Sequence, residues 1–332
     1  MAELVQDQEL LAFLRSVAAG RERFLKLENG VDVDTLSPKD ALMRGLPPRP
    51  VGGTPSFELW HALAISSTAK DVGPGPSTIS AHRTGYNRSS SKGHLQTSRN
   101  WSGAVISSPY RGQPFDFMIG IWKVPDFRAP AHGVAGEYAC STWIGFDGHR
   151  RNSRSLPQLG TVQEIEEDVA GNVTKRVRAW WQWWHPADTT GPNYDDFSDF
   201  CPGIKERVIA ALFVIPTIGV LMKMANLDTG AATKSVLVAT PKPGLEPRAL
   251  DAECVLERPK RVQHPFTNFM TPDFDDTTFR CYASVRGEPA IRDMQGARLI
   301  RMVHRQGSQV ETIATPDPVQ SREAVTVSYC LN

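Results

Sequence analysis

The sequence predicts an all-β fold from residue 100 onward, built as an antiparallel sandwich or barrel. The region consists of short runs rich in β-branched and aromatic residues. Turn-forming pairs such as Asp147-Gly148 and Arg286-Gly287 separate these runs. No ten-residue helical pattern alternates with the runs, which disfavours a doubly wound α/β fold.

The predicted strands follow one another with short, turn-like connections. The run at 206–215 also fits a helix by composition, but its flanking Pro202-Gly203 and Pro216 and its Val and Ile content favour a strand. The predicted strands are 101–107, 116–124, 141–146, 177–184, 207–215, 220–227, 234–240, 252–257, 278–285, 297–304 and 324–331.

Residues 1–99 differ in composition and apolar spacing from the rest of the chain. Their sequence predicts a partly helical N-terminal extension. Apolar residues between Leu10 and Val17 recur at helical spacing, Ser37-Pro38 is a typical helix start, and residues 57–65 fit another helix. The Ser-, Gly- and Thr-rich stretch 66–99 predicts a linker. We therefore predict an extension over 1–99, propeptide-like or a permanent strap, and a sandwich domain over 100–332.

The charge balance limits the classes of partner. The chain has 332 residues, 37 Lys and Arg, 36 Asp and Glu, and a net charge of +1. A dedicated nucleic-acid binder is usually clearly basic, so we expect no nucleic-acid partner. No apolar run is long enough for a membrane-spanning helix. The N-terminus lacks secretory-signal features, which leaves a cytoplasmic or non-classically released protein as the expectation.

Metal and cofactor motifs are absent from the sequence. The five cysteines (Cys140, Cys201, Cys254, Cys281 and Cys330) form no CxxC pair, which disfavours a cysteine-based zinc site. Buried thiols are the favoured interpretation, with one or two disulfides as the alternative in an exported protein. The eight histidines show no metal-ligand spacing. No phosphate-binding, dinucleotide-binding or nucleophile-elbow motif occurs. We expect no cofactor and no metal.

Four tryptophans crowd the stretch AWWQWWHP at 179–186. On a strand, Trp180, Gln182 and Trp184 share one face, and Trp181 and Trp183 share the other. Core packing explains one face. The second face predicts either further packing or the floor of a groove for an extended peptide or sugar.

Six segments, in this order, resemble the eqolisins, the family of glutamic peptidases, over about residues 100–332. The resemblance implies a bent, concanavalin A-like sandwich of two antiparallel sheets whose concave face is the substrate cleft. It also implies a polypeptide substrate, hydrolysis by an activated water without a covalent intermediate, and, from secreted family members, an exported protein. The segments are NWSGAVI (100–106), STWIGFDG (141–148), LPQLGT (156–161), AWWQWWHP (179–186), ANLDTG (225–230) and AECVLE (252–257).

The resemblance places the family's catalytic pair at Gln158, in an LQ-x-G turn, and at Glu257, at the end of the AE-x-x-x-E strand. Elementary chemistry supports the pair. Water attack on an amide needs a base and a donor for the developing oxyanion. A glutamate serves as acid or base near its pKa, and a glutamine amide donates at every pH. The pair would thus operate in acid, where a histidine base is protonated.

The resemblance extends to substrate-binding positions and shows departures. Trp143, Asp147 and Trp180 match cleft residues, and Glu253 has the same strand parity as Glu257, with a salt bridge as its alternative role. Gln182 stands where the family has glutamate, which predicts a changed pH optimum or specificity. Two further family carboxylates are replaced, by Val162 and Arg178.

Two other functions stay open on the sequence. One is a non-catalytic sandwich that binds peptide or carbohydrate in a tryptophan-lined groove. The other is a glycosidase with paired carboxylates, for which Glu253 and Glu257 are the nearest candidates. The Pro-rich stretch near 46–60 is expected to cover part of the sandwich.

Overall fold

The computed structural model describes residues 4, 6–68, 95–108, 113–131, 133–149, 155–185, 195–260, 268–287, 291–317 and 324–331. Within these ranges, helices α1 (Gln8–Ala18), α2 (Pro38–Met43) and α3 (Pro55–Thr68) and a 3-10 turn (Val33–Thr35) precede the strands. Residues 69–94 of the predicted linker lie outside the described residues.

The strands follow α3, with turns and loops between them. They are β1 (Gln96–Ser98), β2 (Trp101–Ser107), β3 (Phe115–Lys123), β4 (Phe127–Arg128), β5 (Gly136–Phe146), β6 (Leu156–Glu167), β7 (Val173–Trp184), β8 (Asp195–Asp196), β9 (Arg207–Ile215), β10 (Gly219–Asn226), β11 (Val236–Ala239), β12 (Asp251–Glu257), β13 (Asp273–Phe274), β14 (Thr277–Val285), β15 (Ile291–Arg292), β16 (Arg298–Gln306), β17 (Gln309–Pro316) and β18 (Ala324–Tyr329).

The strands form a two-layered antiparallel sandwich that confirms the predicted fold class. Hydrogen bonding is continuous in the order β11-β10-β9-β3-β14-β18-β17-β16-β2-β12-β5-β6-β7-β8. The back layer contains β11, β10, β9, β3 and β14. The front layer contains β16, β2, β12, β5, β6, β7 and β8, and β17 and β18 connect the two. This described path does not return to β11, so the fold is an open sandwich rather than a closed barrel.

Most strand predictions agree with the structure within two residues, but β5 begins five residues and β7 four residues before the predicted strand, and β6 is not among the predicted strands. β6 contains the segment that the resemblance assigns to an LQ-x-G turn, and Pro157 and Gly160 interrupt its apolar pattern. Gly160 is required there by close packing: a Cβ at this position would lie 2.2 Å from the carbonyl oxygen of Thr142 and 2.5 Å from the Cβ of Trp143. Strand β17 and the short strands β1, β4, β8, β13 and β15 were also missed.

The main core lies between the two layers. Ile144 and Leu256 of the front layer pack in one cluster with Met118, Trp122 and Val220 of the back layer. All five side chains are essentially excluded from solvent. This burial holds the front layer in place and leaves its outer face for the cavity described below.

The N-terminal helices cover the outer face of the back layer, as expected for residues 46–60. Leu14 of α1 and Trp60 of α3 join a second cluster with Ile119, Ile209 and Leu221 of the back layer. Strand β9 is therefore buried on both faces, which explains its continuous apolar run and its resemblance to a helix in the sequence. The described part of 1–68 contributes no side chain to the cavity.

The end of the predicted linker belongs to the sandwich. Gln96–Ser98 form β1 and pair in parallel with β16, with Gln96 opposite Ile300. The extension thus ends before residue 96, four residues earlier than predicted. Within the described ranges, no helix has the length and apolarity needed to cross a membrane.

Trp60→Ala tests whether the extension is an integral part of the fold. The indole is fully buried and its N–H donates to the carbonyl oxygen of Pro47 at 2.8 Å. We expect a loss of about 3–5 kcal/mol in the free energy of unfolding, measured by urea titration. Val51→Ala, at a half-exposed position of the same segment, should lose little. Equal stabilities of the two variants would contradict an integral role.

Candidate active site

A cavity of about 510 Å³ opens on the outer face of the front layer. Side chains of β5, β6, β7 and β12 form its floor, and residues of β1, β2 and the segment after β12 form its sides. The residues that line it are Gln96, Thr97, Ser98, Asn100, Trp101, Ala139, Ser141, Gly148, His149, Leu156, Gln158, Val162, Glu164, Trp180, Gln182, Trp184, Glu257, Pro259, Lys260, Phe269 and Ile300.

The strand register places the predicted catalytic pair on this face. Residues directly opposite one another on neighbouring strands point to the same side of the sheet. One such row contains Glu257, Ser141, Val162 and Arg178, and another contains Glu253, Gly145, Gln158 and Gln182. Glu257 and Gln158 thus share a face and line one cavity, separated by strand β5.

Two N–H donors hold the carboxylate of Glu257. The indole N–H of Trp143 donates to Oε2 at 2.8 Å, and the side-chain amide of Asn100 donates to Oε1 at 3.0 Å. Burial raises the pKa of Glu257, and the side-chain N–H groups of Trp101, Trp143 and Asn100 and the charge of Lys260 oppose the rise. A partly exposed carboxyl with a raised pKa is suited to exchange a proton at mildly acidic pH.

Gln158 is paired with the residue that departs from the family pattern. Its Nε2 donates to Oε1 of Gln182 at 2.9 Å, and both side chains are buried. Among the described residues, Oε1 of Gln158 and Nε2 of Gln182 have no hydrogen-bond partner. Both residues line the cavity, but these two unpartnered atoms are themselves shielded from solvent. Gln158 lies within β6 and not in a turn.

The tryptophan-rich strand β7 contributes both to core packing and to the floor of the cavity. Trp180, Gln182 and Trp184 line the cavity, whereas Trp183 belongs to the main core and Trp181 packs against that core. The indole N–H of Trp180 donates to the hydroxyl of Ser141 at 3.1 Å. One face of β7 is therefore packing and the other is the cavity floor.

Trp143 and Asp147 lie beneath the cavity rather than along it. Trp143 is fully excluded from solvent, so its contribution is the hydrogen bond to Glu257. The carboxylate of Asp147 accepts backbone N–H groups of Ala249 and Leu250, at 2.7 and 3.1 Å. Burial raises the pKa of Asp147 to about 6. These bonds connect the end of β5 to the start of β12, which fixes the register of both strands.

Glu253 has the predicted parity but is completely buried. Its Oε1 accepts the backbone N–H of His149 at 3.0 Å, and its Oε2 has no hydrogen-bond partner in the part of the chain that the structure describes. Among the described residues no cation lies within ion-pair distance of it, so the salt-bridge alternative has no support. Burial raises the pKa of Glu253 well above its usual range, and the charges of Asp147 and Asp251 add to the rise. The carboxyl does not reach the cavity, so it forms no glycosidase pair with Glu257.

The other two departures lie at one end of the floor. Val162 lines the cavity with an apolar side chain. Arg178 forms a bidentate ion pair with Glu164, at 2.7 and 3.1 Å, and also bonds Asp196. The guanidinium that replaces a family carboxylate is thus already neutralised by two acids.

Sequence reasoning missed several residues of the site. Asn100 is not among the predicted site residues, yet it donates to Glu257, and its place beside Trp101 in NWSGA was the available signal. Ser98, Lys260 and Phe269 also line the cavity, and they belong to none of the motifs found in the sequence. In the described part of the chain, no group of three His, Cys, Asp or Glu side chains is placed to hold a metal ion, and the expectation of a metal-free site stays a prediction.

Glu253→Gln tests the buried carboxyl. Because the pKa of Glu253 is raised on folding, its contribution to stability is present below the ordinary pKa of 4.5 and is lost as pH rises. We expect wild type to lose stability between pH 4 and 7 relative to the variant, whose neutral amide keeps the acceptor for His149. Urea unfolding at both pH values measures the difference, and Glu166→Gln, at an exposed position of β6, is the control. A difference that does not change with pH would contradict a neutral Glu253.

Comparisons with known proteins agree with the fold. The chain matches the model of the Peptidase A4 family over residues 99–329. The structure is similar to that of scytalido-glutamic peptidase with a transition state analog inhibitor, at a TM-score of 0.53 and 19% identity, covering 70% of this chain and 98% of that chain.

It is also similar to SCP-B, a member of the eqolisin family in a complex with the tripeptide Ala-Ile-His, at a TM-score of 0.50 and 17% identity, with 70% of this chain and 98% of that chain covered. A search of curated protein sequences gives no match. The matched region excludes the three N-terminal helices. Because the family match spans more than half of the sequence, this chain belongs to the Peptidase A4 family of peptide hydrolases, the eqolisins.

Proposed function

We propose that this protein is an endopeptidase in which Glu257 and Gln158 act together on a water molecule. The observation that supports the proposal is their shared position: a carboxylate held by two N–H donors and a glutamine amide line one cavity on the same sheet face. A general base and a neutral oxyanion donor are the two groups that water-driven amide hydrolysis requires.

In the proposed reaction Glu257 first acts as a base. Its ionised carboxylate takes a proton from water while the water oxygen bonds to the scissile carbonyl carbon. The carbonyl oxygen becomes negatively charged and accepts an N–H of Gln158. The neutral Glu257 then returns the proton to the amide nitrogen, the C–N bond breaks, and the carboxylic acid and the amine leave.

The environment of Glu257 fits both halves of this cycle. The bonds from Trp143 and Asn100 stabilise the charged base, while burial favours the protonated acid. A group balanced in this way transfers a proton in either direction at small cost near its pKa. Gln158 stays neutral throughout, so the pH dependence on the acid side belongs to Glu257.

The cavity lining fits an extended polypeptide. Trp101, Trp180, Trp184 and Phe269 offer aromatic surface for substrate side chains, and the amides of Gln158 and Gln182 lie on the same cavity wall. The inhibitor and tripeptide complexes of the two similar peptidases also support this class of substrate.

Loss of either group should abolish cleavage. Wild type is expected to cut an unfolded protein at mildly acidic pH with a chelator and with serine and cysteine reagents present. Glu257→Gln should lower kcat by about 10²–10⁴-fold and Gln158→Ala by about 10²–10³-fold, with native circular dichroism.

Glu164→Gln is the matched control, because Glu164 lines the same cavity but is paired with Arg178. A wild type that binds peptides but cleaves none between pH 2 and 8 would replace this proposal with a binding function. Full activity of Glu257→Gln would contradict the assignment of the base.

Gln182 is expected to orient Gln158. Gln182→Met removes the acceptor of the Gln158 amide while keeping the side-chain length, so we expect kcat to fall about tenfold. Gln182→Glu keeps an acceptor and should retain kcat at its own optimum. Steady-state kinetics across the pH range measure both, and a Gln182→Met variant with the wild-type rate would contradict this role.

A further inference from the structure

The last residue of β1 is connected to Glu257 by a chain of hydrogen bonds. The hydroxyl of Ser98 and Oδ1 of Asn100 are 3.1 Å apart, and Nδ2 of Asn100 donates to Oε1 of Glu257 at 3.0 Å. Ser98 also accepts backbone N–H groups, from Asn100 at 3.3 Å and from Trp101 at 3.2 Å. All these atoms lie where β1 turns into β2, beside the cavity.

The hydrogen-bonding capacity of the Ser98 hydroxyl determines which atoms donate and which accept in these hydrogen bonds. A serine oxygen has two lone pairs and one proton. The N–H groups of Asn100 and Trp101 occupy both lone pairs of Ser98, so its proton is the group left for Asn100. The proton requires an acceptor, which selects Oδ1 of the Asn100 amide. The NH₂ end of that amide must then face Glu257.

The place of Ser98 is itself set by strand pairing. Ser98 stands opposite Met302 in the parallel pair of β1 and β16, and Met302 is fully buried. β1 lies outside the sandwich domain predicted from the sequence, yet its last side chain is two hydrogen bonds away from the proposed base.

We propose that Ser98 is a positioning residue of the active site, which fixes the side-chain amide of Asn100 and, through it, the carboxylate of Glu257. This proposal rests on the proposed function for its effect on catalysis. Its effect on Glu257 itself is independent of any reaction.

Removal of the hydroxyl frees the Asn100 amide to rotate. In the rotated state its oxygen faces the carboxylate, and Glu257 loses a donor that favours its charged form. The pKa of Glu257 then rises, so the acid limb of kcat/KM moves to higher pH. We expect a shift of about one pH unit, which corresponds to about a tenfold lower kcat/KM below the limb.

Other titratable groups near Glu257 are unchanged in the variants below. His149, Glu164 and Lys260 line the same cavity, and the buried Glu253 lies on the same strand. Asp147 lies beneath the floor. A shift that follows Ser98 substitutions is therefore assigned to the Ser98–Asn100 chain.

The test compares Ser98→Ala with a rescue and a control in the full-length chain. Ser98→Thr keeps a hydroxyl and should restore the wild-type limb. Thr97→Ala removes the hydroxyl of the neighbouring residue, which also lines the cavity, and should leave the limb in place. Asn100→Ala should shift the limb at least as far as Ser98→Ala. The double variant should equal Asn100→Ala, because Ser98 acts through Asn100.

A direct titration of Glu257 separates this proposal from the proposed function. Carboxyl ¹³C NMR of glutamate-labelled protein, assigned with Glu257→Gln, gives the titration midpoint of Glu257 without substrate. A higher midpoint in Ser98→Ala, absent in Thr97→Ala and Ser98→Thr, supports the proposal even if wild type cleaves nothing. An unchanged midpoint in Ser98→Ala overturns it even if wild type is an active peptidase. Additive effects of Ser98→Ala and Asn100→Ala would also overturn it.

Discussion

The antiparallel register of β12, β5, β6 and β7 determines the site. Side chains alternate between the faces of a strand, so a slip of one residue in any pair would move Glu257 or Gln158 into the core. The carboxylate of Asp147 bonds two backbone N–H groups just before β12 and thereby fixes the end of β5 against that strand. Correct register is thus secured by buried polar contacts as well as by hydrophobic burial.

Two acidic side chains of the front layer are buried beneath or beside the cavity floor. Glu253 and Asp147 are excluded from water, and burial raises the pKa of both. A buried carboxyl without a cation is costly when charged, and a raised pKa lets it avoid the charge. Glu257 differs because it reaches the cavity and has two N–H donors, which preserve its ability to ionise. Glu253 and Glu257 therefore differ in their ability to ionise, although both lie on β12.

The N-terminal helices cover the apolar outer face of the back layer. Its outer face carries apolar side chains such as Ile209 and Leu221, which α1 and α3 bury. An uncovered apolar sheet face of this size would favour association with other chains. The helices lie on the opposite side of the sandwich from the cavity, so they stabilise the support of the site rather than its lining.

Most of the longer strands, the start of α2 and the alternation of faces along β7 could be predicted from the sequence, and ordered motifs indicated the family and the two proposed catalytic residues. These features depend on local periodicity and turn chemistry, which are readable along one chain. Three features could be seen only in the folded chain: Trp143 and Asp147 lie beneath the floor, Glu253 is buried, and Ser98 is connected to Glu257 through Asn100. Burial and hydrogen-bond partners arise between strands far apart in sequence, so no local pattern specifies them.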